Sequence, residues 1–250
     1  MMFDFTNRTL VLTGATGGIG RAVAELFHAA GANLVLADLD ADALAQFSAT
    51  LTTTPTTSEG GSVQTLVADA ASPEDADRIV AAAARLGGID FLVPCAGIYM
   101  AEPFAGMTDD QWRRTLSINL DGVFYLTRRS VEHLKAGSAI VNLSSMAAHR
   151  GAKTNAHYGA SKGAIGAMTR ALANELAPKT RANVVAPGII DTPMTRELIA
   201  TRGDDTLKHT PLGRTGTASE IATVIAFLCS PAASFVTGET LHVNGGLYMS

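Results

Sequence analysis

The chain has 250 residues, 47 % hydrophobic and 17 % charged, with 19 basic against 23 acidic side chains and a formal net charge of −4. That apolar content excludes a disordered chain, and the acidic balance argues against a groove that neutralises nucleic-acid phosphates. Two cysteines are too few for a disulfide framework, six scattered histidines give no metal-ligand spacing, and no apolar run approaches the ~20 residues of a membrane span. The expectation is a cytoplasmic protein with no metal, membrane or nucleic-acid partner.

The first apolar run, Arg8–Thr13 (RTLVLT), stops at glycine, as a buried parallel strand does. Ile19–Ala30 has helical spacing and ends at Gly31, a residue suited to the position just past a helix. Ala32–Asp38 reads as a second strand, Asp40–Leu51 as a helix, Thr52–Gly61 as a low-complexity surface loop and Ser62–Asp69 as a third strand. Ser72 as N-cap, Pro73 behind it and acids in the first turn open another helix. Ile89–Gly97 is a fourth strand, Asp109–Leu134 a long helix and Ser138–Ser145 a fifth strand. Helix Tyr158–Leu176 stops before Pro178; strand Arg181–Gly188, helix Ser219–Cys229 and strand Glu239–Gly246 follow. Strict alternation predicts an α/β protein, a doubly wound parallel seven-stranded sheet with helices on both faces. With no linker and no internal repeat, residues 1–250 are expected to form one domain.

Residues 13–20 read TGATGGIG, directly after the first strand and opening the first helix. Gly14, Gly18 and Gly20 permit a tight turn and close approach of backbone to a pyrophosphate, and the helix start offers free N–H groups to the anion. This is the pattern of a Rossmann-type dinucleotide site. Asp38 ends the second strand, 18 residues past Gly20. An acid there accepts hydrogen bonds from the adenosine ribose 2′-OH and repels a 2′-phosphate. Ala15, Thr16 and Leu39 bring no cation to offset it. NAD is therefore expected, and NADP disfavoured.

Tyr158-Gly-Ala-Ser-Lys162 is a Y-x-x-x-K at the opening of a helix, and Ser145 precedes Tyr158 by 13 residues at the end of a strand. With the glycine loop, the chain resembles the short-chain dehydrogenase/reductase family over essentially its whole length. Asp69-Ala70, Ala96-Gly97, Asn119, Pro187-Gly188 followed by Thr192, PLGRTG at 211–216 and VTGETLHVNGG at 236–246 extend the resemblance. It implies an oxidoreductase moving a hydride between NAD(H) and a secondary alcohol or ketone. The proton of that reaction needs an acid/base, and a tyrosine near pKa 10 is too weak a base at neutral pH. Lys162, four residues on, shares a helix face with Tyr158, so its ammonium is expected to favour the phenolate. Ser145 would polarise the substrate oxygen. The resemblance further implies that Lys162 bonds the nicotinamide ribose and that Asn119 supports a water linking Lys162 to solvent. It also implies that Ile19 helps to line the cofactor site and that the Ile190 backbone and Thr192 hydroxyl meet the carboxamide. Ser144 is assigned no chemistry. Pro94-Cys95 stands where the family usually has two asparagines; Pro94 lacks an N–H, and binding is expected to survive some local rearrangement.

The segment Pro193–Pro211 reads as a helical flap over substrate. Tyr99, Ala147, His149, His157 and Met194 lead the substrate-pocket candidates, with the imidazoles as polar anchors; Met100, Met146, Ile189 and Leu198 stand behind them. No cluster of Lys or Arg is evident at the site, so a phosphorylated or carrier-bound substrate has no visible clamp. PLGRTG nonetheless resembles 3-oxoacyl-carrier-protein reductases, which commonly use NADPH, and such a reductase is the alternative. A non-catalytic NAD-binding regulatory protein is a second. Small residues along the Tyr158 helix, an apolar stripe of Leu116, Leu120, Val123 and Leu126, and the Leu241–Tyr248 segment predict two isologous interfaces, hence a homotetramer.

Overall fold

A computed structural model describes residues 3–53 and 61–249, the side chains of 202–206 excepted; the expected loop Thr52–Gly61 falls mostly outside the described residues. Seven strands form one sheet: β1 Thr9–Thr13, β2 Asn33–Asp38, β3 Val63–Val67, β4 Ile89–Pro94, β5 Leu134–Leu143, β6 Thr180–Pro187 and β7 Thr240–Val243. All pair in parallel, in the order β3-β2-β1-β4-β5-β6-β7. The order reverses between β1 and β4, and at such a reversal the loops beyond the strand ends part to leave a crevice.

Every residue of β1 and β4 is buried, which is why these runs carry no polar alternation. On one face, Leu10, Leu12, Leu34 and Leu36 pack with Val23 and Phe27 of α1 (Gly18–Ala29) and Ile221 and Ile225 of α9 (Ala218–Cys229). On the other, Val11 and Val35 meet Ile79 and Val80 of α3 (Pro73–Arg85). Each such side chain contributes about 1.5–3 kcal/mol on burial. A one-residue slip would exchange the two faces, so packing fixes the register. Asp90, fully buried in β4, accepts from the Thr9 N–H at 2.9 Å, Arg8 Nη1 at 2.8 Å and Lys135 Nζ at 2.7 Å.

The expected long helix Asp109–Leu134 is not continuous. α4 (Asp109–Leu116) passes into a wide π-type turn at Ser117–Asp121, α5 runs over Gly122–Ser130, and Leu134 already belongs to β5, opposite Ile89. Two contacts force the break. Asn119 is drawn inward by bonds to Ile98, and Gly122 lies so close to Ala70 that a Cβ would sit 2.4 Å from its carbonyl oxygen. The break also rearranges the expected stripe. Val123 and Leu126 are buried within the subunit, and Phe124 is the α5 apolar residue left 46 % exposed. The remaining helices are α2 (Ala41–Thr53), α6 (Ala147–Arg150), α7 (Ala156–Leu176) and α8 (Arg196–Lys208). The expected flap is thus one turn at Pro193–Thr195 followed by α8. Among the described residues no helix is long and apolar enough to cross a membrane, and no side-chain group could hold a metal ion.

Candidate active site

The crevice beyond β1 and β4 is a cleft of about 420 Å³. Gly14 leaves β1 with φ +67°, and a Cβ there would come within 2.7 Å of the Ala96 nitrogen. At Gly20 a Cβ would meet the Gly14 oxygen at 2.0 Å, and at Gly18 the Thr192 methyl at 2.6 Å. Glycine at 14 and 20 lets backbone meet backbone, and at 18 it leaves room for the Thr192 side chain. Gly17 caps α1 without a side chain, so the first-turn N–H groups at Gly18, Ile19 and Gly20 open onto the cleft with the partial positive charge of a helix start. A cradle that any Cβ would fill, facing uncapped donors, fits a dinucleotide pyrophosphate.

Asp38 also lines the cleft. Its carboxylate accepts from the Thr16 N–H and the Leu39 N–H, each at 2.8 Å, and capping of α2 falls instead to Asp40, which accepts from the Ala43 N–H. Arg21 donates to the Thr16 carbonyl and stacks on Phe47 at 4.6 Å; it does not line the cleft. Thr16, Asp69, Ala70, Ala96, Gly97 and Thr192 line it as the sequence suggested. Gly188 opens instead onto a second cavity, Ile190 is buried behind the flap, and the Pro187 carbonyl accepts from the Met146 N–H. Leu39, Ile98 and, on the π-type turn, Ile118 also line the cleft, and no motif marks such apolar residues. At Pro94 the ladder loses a donor, but the next two N–H groups recover it: Cys95 donates to the Thr13 carbonyl at 3.2 Å and Ala96 to the Thr13 hydroxyl at 3.4 Å.

Ser145 follows β5, and Tyr158 and Lys162 stand one turn apart on α7. The Ser144 hydroxyl donates to the Lys162 carbonyl at 2.8 Å, holding helix to strand. Lys162 is buried and its Nζ donates to the Leu143 carbonyl at 2.9 Å; it lies 6.0 Å from the Tyr158 ring centroid rather than on the phenol. Burial lowers the lysine to about 8. Burial also pushes Tyr158 up to about 12, opposed by a hydrogen bond with Ser145. The direction expected for the tyrosine is thus reversed in this geometry, because desolvation of the phenolate outweighs the charge it can reach. Asn119, fully buried on the π-type turn, accepts from the Ile98 N–H at 2.8 Å and donates to the Ile98 carbonyl at 3.0 Å and to Ser161 Oγ at 3.3 Å. A Cβ on Gly97 would lie 3.2 Å from Asn119 Oδ1 and 3.6 Å from Lys162 Nζ, so the two side chains meet the same glycine.

Tyr158 and Ser145 open onto a second cavity, of about 380 Å³. Met194 lines both spaces. Tyr99, its ring edge-on to Tyr158 at 4.9 Å, lines the cavity with Met146, Ala147, Ile189 and Leu198. Both imidazoles lie elsewhere. His157 is buried in α7 with Nε2 2.8 Å from Glu102 Oε2, and His149 stands on α6 edge-on to His242 at 4.6 Å. Met100 is half exposed outside the cavity. Arg150, Lys153, His209 and Leu247 line it unforeseen.

A family model described as Enoyl-(Acyl carrier protein) reductase matches residues 14–248. The chain is also 36 % identical over 249 residues to the 3-oxoacyl-[acyl-carrier-protein] reductase FabG of Salmonella typhimurium, covering 98 % of this chain and 99 % of that one. Among solved structures it is similar to a short-chain dehydrogenase/reductase, SDR:Glucose/ribitol dehydrogenase, from Brucella melitensis, with 64 % identity and a TM-score of 0.95 over the full length of both. The chain belongs to the short-chain dehydrogenase/reductase family. A 3-oxoacyl-[acyl-carrier protein] reductase with bound NAD from Brucella melitensis is a further match, at 35 % identity and TM-score 0.86 over 98 % of this chain and 92 % of that one. As a short-chain dehydrogenase/reductase, the protein is an oxidoreductase that uses a nicotinamide cofactor, and its Rossmann-type sheet is the family's fold.

Proposed function

We propose that the chain works as one catalytic unit that interconverts a secondary alcohol and a ketone with NAD(H). The observation that carries this is the pairing of Ser145 with Tyr158 on the wall of the 380 Å³ cavity, with the buried Lys162 one helical turn beyond and Met194 lining both that cavity and the glycine-lined cleft. The nicotinamide, when bound, supplies or takes the hydride. The cradle Gly14–Gly20 would hold the pyrophosphate, Asp38 the adenosine ribose and Lys162 the nicotinamide ribose. Tyr158, protonated at neutral pH, donates its proton to the carbonyl oxygen in reduction and takes it back in oxidation. Ser145 holds that oxygen beside the phenol. Asn119, locked to Ile98, keeps the polar backbone beside Lys162 in place for proton exchange. Tyr158→Phe should lower turnover at least a hundredfold, the scale of general acid–base catalysis, with NADH affinity retained. Near-full activity in that variant would refute the assignment.

Asp38 supports NAD over NADP by at least about tenfold, or ~1.4 kcal/mol. Its negative charge faces the cleft, and Arg21, turned onto Phe47, gives a 2′-phosphate no partner. A panel of secondary alcohols and ketones read by nicotinamide absorbance with both cofactors tests this, and equal kcat/KM values would overturn it. Reduction of a 3-oxoacyl thioester is the second reading, favoured by the full-length similarity to FabG proteins. We further propose a cytoplasmic homotetramer: Gly163 on α7 faces open space, and Phe124 on α5 is half exposed, so a symmetry mate can pack on both.

A further inference from the structure

The substrate cavity is not electrically neutral. Its lining combines Tyr158 and Ser145, the apolar Met146, Ala147, Leu198 and Leu247, and two cations, Arg150 at the end of α6 and Lys153 on the turn that leads to α7. The cavity has no carboxylate among its described lining residues, in a chain whose net charge is −4. Neither Arg150 nor Lys153 forms an ion pair with a carboxylate among the described residues, so both charges are left to a ligand in the cavity.

We propose that the substrate carries an anionic group, a carboxylate or a phosphate, separated from its reacting carbon by an apolar segment. This rests on the assignment of Tyr158 and Ser145 to the reacting oxygen. The guanidinium of Arg150 presents a fork that either anion can meet with two oxygens, and the Lys153 ammonium adds a second charge. The apolar side chains of the same cavity take up the connecting carbons, and about 380 Å³ lies within the range of small-molecule sites. Because both cations are solvent-exposed, the attraction is modest and screened by salt.

The test uses the Met146 methyl group, which lines this cavity and not the cofactor cleft. In the NAD-saturated protein, where a ketone binds without a hydride donor, its NMR resonance is followed during titration with 7-oxooctanoate, its methyl ester and an oxoalkyl phosphate of equal length. At low salt, at least one anion should shift it at no more than about one fifth of the ester concentration, the preference shrinking as salt shortens the Debye length. The Arg150→Gln/Lys153→Gln double variant should bring anion and ester together. Equal binding of acid, phosphate and ester, no anion-dependent shift, or a preference that survives the double variant would overturn the proposal. Turnover of the ester by the wild-type protein and its loss in Tyr158→Phe separately decide the reaction assignment, whichever way the anion comparison falls.

Discussion

Replacing Lys162 by methionine should change the shape of the pH profile for alcohol oxidation, not only its height. Burial leaves the lysine near 8 and the tyrosine near 12, and Nζ stands 6.0 Å from the Tyr158 ring centroid. Two opposite unit charges at that distance attract by about 3 kcal/mol at an effective dielectric near 20, roughly a hundredfold in phenolate population. Below pH 8 the ammonium is present and the phenolate population rises tenfold per pH unit. Above pH 8 the pair shares one proton and titrates as a unit, so the phenolate population levels off at about 1 %. Without the ammonium, phenolate climbs unbroken toward the tyrosine's own pKa. In Lys162→Met, kcat for oxidation should therefore be about a hundredfold low below pH 8, keep rising where the wild type is flat, and meet it near pH 10. Lys162→Arg keeps a charge that does not titrate, so it should retain the low-pH rate and lose the plateau. The assay is kcat against pH at saturating cofactor and alcohol, which removes any loss of cofactor affinity. A methionine variant that still breaks near pH 8 would refute the electrostatic reasoning.

Gly14→Ala combines a left-handed backbone, costing about 1 kcal/mol, with a Cβ 2.7 Å from the Ala96 backbone nitrogen, an overlap costing about 1–3 kcal/mol more. Its Tm should fall by about 5–10 °C, with NADH affinity reduced; unchanged melting would mean that the loop is not close-packed. Asp90→Ala leaves the buried Thr9 N–H without its acceptor and Arg8 and Lys135 without their shared carboxylate, so urea denaturation should show a loss of about 2–4 kcal/mol. A loss below about 0.5 kcal/mol would show that water replaces the carboxylate. Light scattering should give four times the subunit mass; a monomer would refute the proposed assembly, and a dimer would leave one interface standing.

What the sequence discloses follows from the range over which each residue acts. The glycine loop is legible because the constraint on Gly14, Gly18 and Gly20 is local: each lets backbone turn or approach where a Cβ would collide. Tyr158 and Lys162 are legible because a four-residue spacing on a helix places them on one face. The helix break at Ser117–Asp121 is not, since what opens it is the bonding of Asn119 to Ile98, 21 positions earlier. Such a turn takes in an extra residue and shifts the apolar face that follows it, and nothing in the local run of residues marks where that happens. His157 misleads for the same reason. It stands next to Tyr158 in the chain, but its ring is claimed by Glu102 in the loop after β4, and the helix turns it away from the cavity that Tyr158 faces.

The cations of the substrate cavity show the same limit from the opposite side. Arg150 and Lys153 stand in a stretch, HRGAKTNAH, with no charge periodicity and no motif, so the sequence offers no reason to place them at a site. A four-residue helix ends at Gly151 with φ +77°, and that reversal carries the chain from α6 toward α7 along the cavity wall. Glycine's tolerance of the left-handed region is thus what sets the two cations beside the apolar channel. At φ +77° and ψ 157°, a combination open essentially to glycine alone, an alanine at 151 would be disfavoured by about 1–3 kcal/mol, and nothing lies within 4 Å to resist it sterically. The turn would therefore redirect rather than unfold. Gly151→Ala should keep the protein folded while weakening any preference for the anionic probes, so the cavity's charge depends on a backbone torsion as much as on the identity of Arg150 and Lys153.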